Sequence, residues 1–498
     1  MLLAAGLTAY RLSTRSLWLD EGASIAIVSQ HGAGLWRAIR HDGGNMLVYY
    51  LLLHVLVDWF GSAVAVVRAP SVVADAVTAG LTAVLAWRLL ARRGVALSAG
   101  LLCALSLPLV FWGQDARGYA LMVALATAAL LAFTAIVQAP GRAPRPATIA
   151  YVVLSLLSMY VSFYAGLILL AELAVLPLFR HRARLIGGCL VLVAVGCIPL
   201  SVLALQRGSG QLFWVDPVTP AIAGRAGLVL ISSGLPPNFH ITAITIAACA
   251  VTIALALAVG VRLVVLHVRF RRLAWRGEPA STGAWIAGSW LIVPIVVMLA
   301  AAVAGEPIEL ARSVILLIPV VGLLLAWGLD LPGRARFLGI GAIVLLLVMR
   351  ALVVAPTYRA TPENWKAAAF QVARASRSGD CILFYPQDGR MLFDYYRRED
   401  PGIQRLTPVL PDAPWNVVRP YVEQYTVPSA ARLDQIERSC PRLWVVASHE
   451  GHRPGPQASE RDLTRYHALL ADLGHAFGHQ QRRTFGYAAP IYVTNFTR

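Results

Sequence analysis

The segment RSLWLDEGAS, residues 15–24, places two adjacent carboxylates, Asp20 and Glu21, after a tryptophan and a leucine. Neighbouring side chains point about 100° apart on a helix and to opposite faces of an extended segment. The two carboxylates therefore cannot both reach one atom. We expect one to accept a proton while the other holds a loop, a cation or its neighbour. In the alternative, Asp20 only caps a helix that begins at Glu21, with Trp18 in an aromatic belt.

Three arginines lie at the ends of apolar stretches, namely Arg68 in VVRAPS, Arg117 in GQDARGYA and Arg312 in ELARSVILLIP. A planar guanidinium matches the oxygen atoms of a phosphate, and an ionisable residue within a span is a functional candidate. Together with the carboxylate pair, these arginines favour a site for a lipid phosphate. The alternative is local ion pairing, for which the available carboxylates are Asp115, Glu306 and Glu309.

Histidine and aspartate residues follow the carboxylate pair. His54 and Asp58 are one helical turn apart, and His31 and His41 precede them. That spacing could ligate a metal, but the sequence fixes no third ligand, so a polar interfacial face is the preferred interpretation. His41 and Asp42 belong to the same loop as the carboxylates and are candidates to approach them.

The segment QRGSGQLFWVDPVTP, residues 206–220, mixes glycine, serine, proline and aromatic residues. Such a composition is typical of a flap that closes over a sugar, with Trp214 as a substrate-contacting residue. An ordinary connecting loop is equally compatible with it.

The elements that must position these residues follow from the composition. Of 498 residues, 58% are hydrophobic and 14% are charged, and the mean hydropathy is +0.64. A soluble protein of this length needs more polar surface, so we predict a multispanning α-helical membrane protein. Long apolar stretches predict about eleven spans, near 1–12, 64–89, 95–111, 117–138, 147–158, 160–179, 184–205, 241–267, 283–303, 309–329 and 336–355. The opening MLLAAGLTAY is shorter than the roughly 20 residues of a full span, so we expect a longer start or support from neighbouring helices.

The net charge of +17 also has a topological interpretation. With the N-terminus cytoplasmic, five consecutive inside loops hold fourteen arginines and only two acidic residues, Glu278 and Asp330. This is the positive-inside pattern of a plasma-membrane protein. The arginines are scattered and form no face interleaved with aromatic residues, which argues against nucleic acid as a partner. The same topology places residues 13–63, 206–240 and the tail on the extracytoplasmic side.

The tail, residues 356–498, is more polar than the preceding part, residues 1–355. CILFYP and RLWVVAS read as buried strands, and TPENWKAAAFQVARASRSGD, RMLFDYYRR and DLTRYHALLADLG as helices. The alternation predicts a small α/β domain with some parallel pairing. Cys381 and Cys440 stand at two strand starts and are a disulfide candidate, although the sequence gives no distance. The other cysteines are expected to be small core residues.

Several catalytic signatures are missing. The sequence contains no P-loop and no G-x-G-x-x-G after a cytoplasmic strand, so a cytosolic nucleotide is not expected as donor. It also contains no G-x-S-x-G elbow and no H-E-x-x-H helix.

The quoted stretches, in order, resemble the GT-C superfamily of membrane glycosyltransferases. They are most similar to bacterial, particularly actinobacterial, relatives of protein O-mannosyltransferases and aminoarabinose transferases. The residues that carry this resemblance are SLWLDEGAS, LVYYLLLHVLVDWFGSAVAVVRAPSVVADAV, WGQDARGYALMVAL, FWVDPVTP, ARSVILLIPVVGLLLAW and the tail's ENWKAAAFQVARASRSGDCILFYP.

The resemblance implies a polyprenyl-phosphate sugar as donor and transfer of the sugar outside the membrane, usually with inversion. It implies that Asp20 activates the acceptor hydroxyl and that Glu21, its neighbour, is the second catalytic residue. Arg117 and Arg312 would lie near the donor phosphate, with Arg68 and Tyr119 in the same motifs. The segment HDGGNMLVYY lacks the prolines of many relatives, which leaves both Asp42 and Asp115 as candidates for a second acidic residue.

The sequence leaves the substrate open. Mannose is favoured over arabinose, and the acceptor is a protein, a lipoglycan or a lipid of the cell envelope. No cofactor is assigned; a divalent cation, Mg²⁺ or Mn²⁺, stays an alternative for offsetting charge on the leaving phosphate. Competing hypotheses are a transporter of lipid or solute, and a noncatalytic glycan-binding subunit on a GT-C scaffold. A transporter is expected to place ionisable residues near the middle of the bilayer, not at the outer ends of spans.

Overall fold

A computed structural model describes residues 1–207, 215, 217–231, 242–274, 279–306, 310–398, 402–413, 425–448, 460–487 and 489–498. Among the described residues up to 357, all regular secondary structure is helical. The helices are α1 Leu2–Ala9, α2 Leu19–Val28, α3 Ala33–His41, α4 Leu47–Phe60, α5 Val64–Leu90, α6 Arg93–Ala104, α7 Leu107–Gly113, α8 Tyr119–Val137, α9 Arg145–Val161, α10 Gly166–Val175, α11 Ala183–Gly196, α12 Ile198–Arg207, α13 Pro220–Leu230, α14 Ala243–Ala274, α15 Pro279–Val303, α16 Leu310–Ser313, α17 Ile318–Gly328 and α18 Arg336–Thr357.

Six helical segments among the described residues are long and apolar enough to cross a membrane. A seventh is α6 with α7, if that pair, bent by 56°, is one span. Shorter apolar helices occupy Arg145–Val161, Pro220–Leu230 and Val314–Gly328, and a further one, α4, lies in the segment predicted as an outer loop. The eleven predicted spans thus correspond partly to full-length helices and partly to short or bent ones.

The bend between α6 and α7 has a local cause. Pro108 lies in the first turn of α7, where its missing N–H costs no helical hydrogen bond. At the end of α6, the Leu102 carbonyl accepts a hydrogen bond from Arg350 of α18, which is buried. An unpaired carbonyl within a bilayer costs several kcal/mol, so Arg350 stabilises the break. The chain leaving α7 contains Gln114, Asp115 and Arg117.

The tail adds four helices and one sheet. These elements are α19 Trp365–Ala375, α20 Arg390–Arg397, α21 Ala430–Ser439, α22 Glu460–Phe477, β1 Cys381–Tyr385, β2 Thr407–Leu410, β3 Arg442–Ser448, β4 His479–Phe485 and β5 Ile491–Thr497. The strand order is β2-β1-β3-β5-β4. Strand β1 pairs in parallel with β2 and β3, while β5 pairs antiparallel with β3 and β4. The two predicted strands and their parallel pairing are therefore confirmed.

A disulfide joins Cys381 and Cys440, whose Cα atoms are 5.7 Å apart. Cys381 begins β1, and Cys440 is the C-cap of α21, two residues before β3 begins. Because β1 and β3 are adjacent parallel strands, their starts lie at the same edge of the sheet. The pairing register, with Cys381 opposite Leu443, brings the two cysteines within bonding distance.

Two apolar layers cover the sheet. One face, including Leu383, Val445 and Phe496, packs against α21 and α22. The opposite face, including Phe384, Trp444 and Val493, packs in one core with α19, α20 and α2. This shared core connects the tail directly to the segment that carries the two carboxylates.

The close approach of α2 and α20 requires a glycine. A Cβ atom added at Gly22 would lie 2.7 Å from the Cγ atom of Leu392, closer than ordinary carbon contacts.

The first helix of the tail begins later than the sequence predicts. Asn364 is its N-cap, and the Asn364 side chain accepts a hydrogen bond from the Ala367 N–H. Pro362 precedes the helix in the extended segment. The boundary at residues 355 and 356 stays a prediction.

Candidate functional site

The carboxylate pair occupies the first turn of α2. The helix begins at Leu19 and Trp18 is its N-cap, so the alternative in which Asp20 caps a helix beginning at Glu21 is wrong. Acidic residues in a first turn interact favourably with the positive end of the helix dipole. From these adjacent positions the two carboxylates point into different surroundings. Glu21 is completely buried, whereas Asp20 is partly accessible.

Glu21 forms a bidentate ion pair with Arg68 of α5. The Nε atom of Arg68 lies 2.7 Å from Oε1, and its Nη2 atom lies 2.6 Å from Oε2. Both side chains have 0% exposure. Paired forks of this kind are shorter and stronger than neutral hydrogen bonds, and burial removes the competition from water.

Each member of this pair also holds backbone. Glu21 accepts hydrogen bonds from the backbone N–H groups of Ala116, at 2.9 Å, and Trp18, at 3.3 Å. Arg68 donates to the carbonyl of Leu12 at 2.7 Å, and to those of Arg15 and Ser16. The ion pair therefore fixes segment 12–18, the start of α2 and the loop after α7 relative to one another.

The charge on Glu21 is strongly favoured. Burial by itself raises the pKa of this carboxyl, but Arg68, with smaller contributions from Arg15 and the Ala116 N–H, holds the pKa below its ordinary value of 4.5. A fully buried carboxylate with its lone pairs occupied by donors cannot accept a proton from a substrate. Glu21 therefore holds a loop and a cation, and Asp20 is the member of the pair that is partly accessible.

Asp20 lies between two guanidinium groups. Its Oδ2 atom is 3.1 Å from Nη1 of Arg312 and 3.8 Å from Nη2 of Arg117. The side chains of Asp20 and Arg312 are each 16% exposed, and that of Arg117 is 10% exposed. The local pairing expected for Arg117 with Asp115 is not what the structure shows, and Arg312 reaches Asp20 across 292 positions of sequence. Glu309 lies outside the described residues.

Aromatic side chains surround Arg312. Its guanidinium carbon lies 5.4 Å from the ring centroid of Trp18, 5.8 Å from that of Trp112 and 5.6 Å from that of Tyr119. Its Nη1 atom also donates to the Tyr119 hydroxyl at 2.8 Å. Cation–π contacts at partly desolvated sites hold a guanidinium in position. Arg312 is thus oriented by its neighbours as well as by Asp20.

Asp115 is buried beside this cluster. Its Oδ1 atom accepts a hydrogen bond from the Trp18 indole at 2.6 Å, and within the described part of the chain its buried Oδ2 atom has no hydrogen-bond partner. Burial and the neighbouring Glu21 charge raise the pKa of Asp115 well above its usual range. Asp115 therefore favours the protonated form and orients Trp18, one of the rings around Arg312.

Asp42 approaches the site through Tyr50. The Tyr50 hydroxyl donates to Oδ2 of Asp42 at 2.9 Å and accepts a hydrogen bond from Arg117 at 3.3 Å. Burial raises the pKa of Asp42 to about 6, against the opposing effect of Arg117. Of the two candidates for a second acidic residue, Asp42 is linked to Arg117 and Asp115 is linked to Trp18.

The remaining candidates lie elsewhere. His41 is exposed at the last position of α3. His31 contacts Asp58 at 3.0 Å on the surface, and His54 binds the Val28 carbonyl at 2.7 Å. Among the described residues no three histidine, cysteine or acidic side chains are grouped so as to hold a metal ion. Trp214 and most of the predicted flap lie outside the described residues.

Some residues of the site were not predicted from sequence. Tyr396 of α20 accepts a hydrogen bond from the Leu17 N–H at 2.9 Å, and Glu363 accepts one from the Leu19 N–H at 3.1 Å. Both come from the tail and hold the chain on either side of Trp18. Glu363 lies in the ENWK stretch, but nothing in its local pattern indicates a contact 344 positions away.

The cluster combines one partly accessible carboxylate with two fixed cations and three aromatic rings. The carboxylate can accept a proton, the guanidinium groups can bind an anion such as a phosphate, and the rings offer an apolar wall. The Glu21–Arg68 pair keeps these groups in place without taking part in that chemistry.

The sequence matches no protein-family model and no curated protein sequence. The structure is similar to crystal structures of ArnT from Cupriavidus metallidurans. The form bound to undecaprenyl phosphate has a TM-score of 0.56 and 13% sequence identity, with 99% of this chain and 96% of that chain covered. The apo form has a TM-score of 0.52 and 13% identity, with 98% and 95% covered. The predicted fold class, a multispanning α-helical membrane protein with a C-terminal α/β domain, is confirmed, and its fold is similar to that of ArnT.

Breaking the buried ion pair should be costly. Arg68→Met leaves Glu21 as an uncompensated buried charge, and we expect the free energy of unfolding to fall by about 3–5 kcal/mol. Chemical denaturation in detergent measures this value. Arg92→Met is the matched control, since the Arg92–Asp330 pair is exposed and its loss should cost less than about 1 kcal/mol. A double variant, Glu21→Leu with Arg68→Met, should lose less than the sum of the single variants; additive losses would show that the pair is not coupled.

The loss of folding stability at low pH should depend on Glu21. Because the folded state holds the pKa of Glu21 below 4.5, the unfolded state binds more protons in that range. The stabilisation is complete above pH 4.5 and is lost as the pH falls through the lower folded-state pKa. Glu21→Gln should be less stable at neutral pH and show a shallower loss of stability below pH 4.5. Thermal unfolding from pH 3 to 7 measures this slope, and an unchanged slope contradicts the assignment.

Proposed function

We propose that the chain is a glycosyltransferase that moves a sugar from a polyprenyl-phosphate donor to a hydroxyl acceptor. The observation that carries this proposal is that Asp20 contacts Arg312 and Arg117, whereas Glu21 forms a buried ion pair with Arg68. A base and two phosphate-binding cations are what such a transfer needs. The similarity to ArnT, which was crystallised with undecaprenyl phosphate, supports a polyprenyl phosphate as the donor carrier.

Asp20 is proposed as the general base. The acceptor oxygen attacks the anomeric carbon while the bond from that carbon to the phosphate oxygen breaks. The hydroxyl proton passes to Asp20, and the bonding electrons leave with the polyprenyl phosphate. A positioned base contributes about 100- to 10,000-fold to such a step. A single displacement inverts the anomeric centre, and the carboxylate also stabilises oxocarbenium-like charge.

The arginines are proposed to bind the donor phosphate. Charge on the phosphate grows as it leaves, and the preorganised cations of Arg312 and Arg117 offset it without further reorganisation. Arg312 is supported by three aromatic rings and by the hydroxyl of one of them, Tyr119. Arg117 is supported by Tyr50 and Ser24. Arg68 and Glu21 have a positioning role in this proposal. That replaces the catalytic role expected for Glu21 and the direct phosphate contact expected for Arg68.

The substrate assignment follows the resemblance in the sequence. Mannose is proposed as the sugar, with arabinose as the second candidate, and the acceptor is proposed to be a protein, lipoglycan or lipid of the cell envelope. The acceptor would approach from the side of the tail, whose residues Glu363 and Tyr396 contact the chain on both sides of Trp18.

We further propose that the N-terminus is cytoplasmic and that a separate unit, residues 356–498, is extracytoplasmic. Arginines concentrate in the loops assigned to the inside, as the positive-inside rule requires. The Cys381–Cys440 disulfide supports an oxidising environment for the tail. With this orientation the Asp20 site lies at the outer membrane boundary, where a lipid-borne donor meets an acceptor from the aqueous side.

Asp20→Asn should retain the fold and lose transfer. Asparagine has the same shape but cannot accept the proton, so the rate should fall by at least about 100-fold. The measurement is transfer of labelled sugar by purified protein in lipid, offered polyprenyl-phosphate mannose and polyprenyl-phosphate arabinose separately with a membrane-glycan extract. Asp58→Asn is the control, since Asp58 pairs with His31 at the surface and is not part of the Asp20 cluster. Full activity of Asp20→Asn would remove the central assignment.

The orientation is tested by labelling. Asp434→Cys places a thiol on the exposed face of α21, and Arg334→Cys places one in a loop predicted to be cytoplasmic. A membrane-impermeant maleimide added to intact cells should label the first variant and spare the second, with both labelled after permeabilisation. The opposite pattern would reverse the proposed topology.

A further inference from the structure

The carboxylate of Asp20 forms ion pairs with the two arginines that are proposed to bind the donor phosphate. Its Oδ2 atom lies 3.1 Å from Arg312 and 3.8 Å from Arg117. These three side chains are only 10–16% exposed, so the attraction between them is screened less than that of a surface pair. In this arrangement Asp20 is the counter-ion of both guanidinium groups, and its Oδ2 atom is already engaged by them.

Asp20 has little freedom to leave by movement of its helix. Glu21, the next residue, is fixed by Arg68 and by the Ala116 N–H. The start of the helix is held from the tail through the Leu19 N–H. Separation of Asp20 from the arginines therefore requires rotation of its own side chain, which is a small motion.

Arg312 does not depend on Asp20 for its position. The rings of Trp18, Trp112 and Tyr119 surround its guanidinium, and the Tyr119 hydroxyl accepts one of its hydrogen bonds. The guanidinium of Arg312 can therefore exchange one bound anion for another without changing its own position. A phosphate offers more oxygen atoms than a carboxylate and suits the planar fork of a guanidinium.

We propose that Asp20 is the resting counter-ion of Arg312 and Arg117, and that the donor phosphate must displace it before it can act on the acceptor. This inference rests on the proposed function and adds the order in which the donor binds and the base is released. The donor binds first, its phosphate takes over the guanidinium groups, and the carboxylate is released beside the anomeric carbon. Without a donor the carboxylate stays paired and the acceptor is not activated.

The proposal gives Asp20→Asn opposite effects on binding and on transfer. Removing the competing charge should tighten binding of undecaprenyl phosphate, used as the probe, by about tenfold, because a partly buried pair is worth more than an exposed one. Binding is measured with purified full-length protein in nanodiscs by calorimetry. Arg312→Ala should weaken binding. In the double variant Asp20→Asn with Arg312→Ala, most of the gain from Asp20→Asn should disappear, since the competition needs both groups.

The controls separate competition from a general change in charge. Asp58→Asn removes one carboxylate from the same part of the chain, but its partner is the exposed His31, so binding should be unchanged. Thermal unfolding shows that each variant is folded. Equal or weaker binding by Asp20→Asn, or an equal gain in the presence of Arg312→Ala, would overturn the competition. If neither the wild-type protein nor Asp20→Asn binds undecaprenyl phosphate, the proposed function fails, and this inference fails with it.

Discussion

The buried ion pair between Glu21 and Arg68 is the interaction on which the site depends. Two charges without exposed surface are favourable only when their geometry is good and their remaining hydrogen-bonding capacity is used. Here the pair is bidentate, Glu21 accepts two backbone N–H groups, and Arg68 donates to three carbonyls. These bonds join the first helix of the site, the loop after the bent span and segment 12–16. The neighbouring residue, Asp20, thereby points toward Arg312 and Arg117.

The tail contributes to the same geometry. Glu363 and Tyr396 bind backbone N–H groups on either side of Trp18, and Leu392 packs where Gly22 leaves space. One helical layer of the tail shares a hydrophobic core with α2, so the α/β unit and the helical part are joined by burial as well as by hydrogen bonds. A change in the tail that loosens this layer would reach Asp20 through Trp18, which also contacts Arg312.

Much of the fold could be predicted from composition and periodicity. Long apolar stretches gave the helices, and short apolar runs gave β1 and β3 with their parallel pairing, because burial of apolar surface dominates both patterns. The pattern did not show β4, in which six of the seven residues are exposed, nor the bend between α6 and α7, which Arg350 of a distant helix stabilises. Helix α4 was hidden in a predicted loop because, with 14 residues, it is too short for a span.

The sequence by itself determined the membrane class, the α/β tail and the residue types of the site: an acidic pair and arginines suited to phosphate. It also required the two carboxylates to differ in role, since adjacent side chains cannot share a target. Only the tertiary structure decided which arginine each carboxylate contacts. Arg68 and Arg312 are 47 and 292 positions away from their partners Glu21 and Asp20, and contacts at such separations depend on how the helices pack. Burial distinguishes the two carboxylates, because the Glu21–Arg68 pair has no exposed surface whereas the side chain of Asp20 is partly exposed.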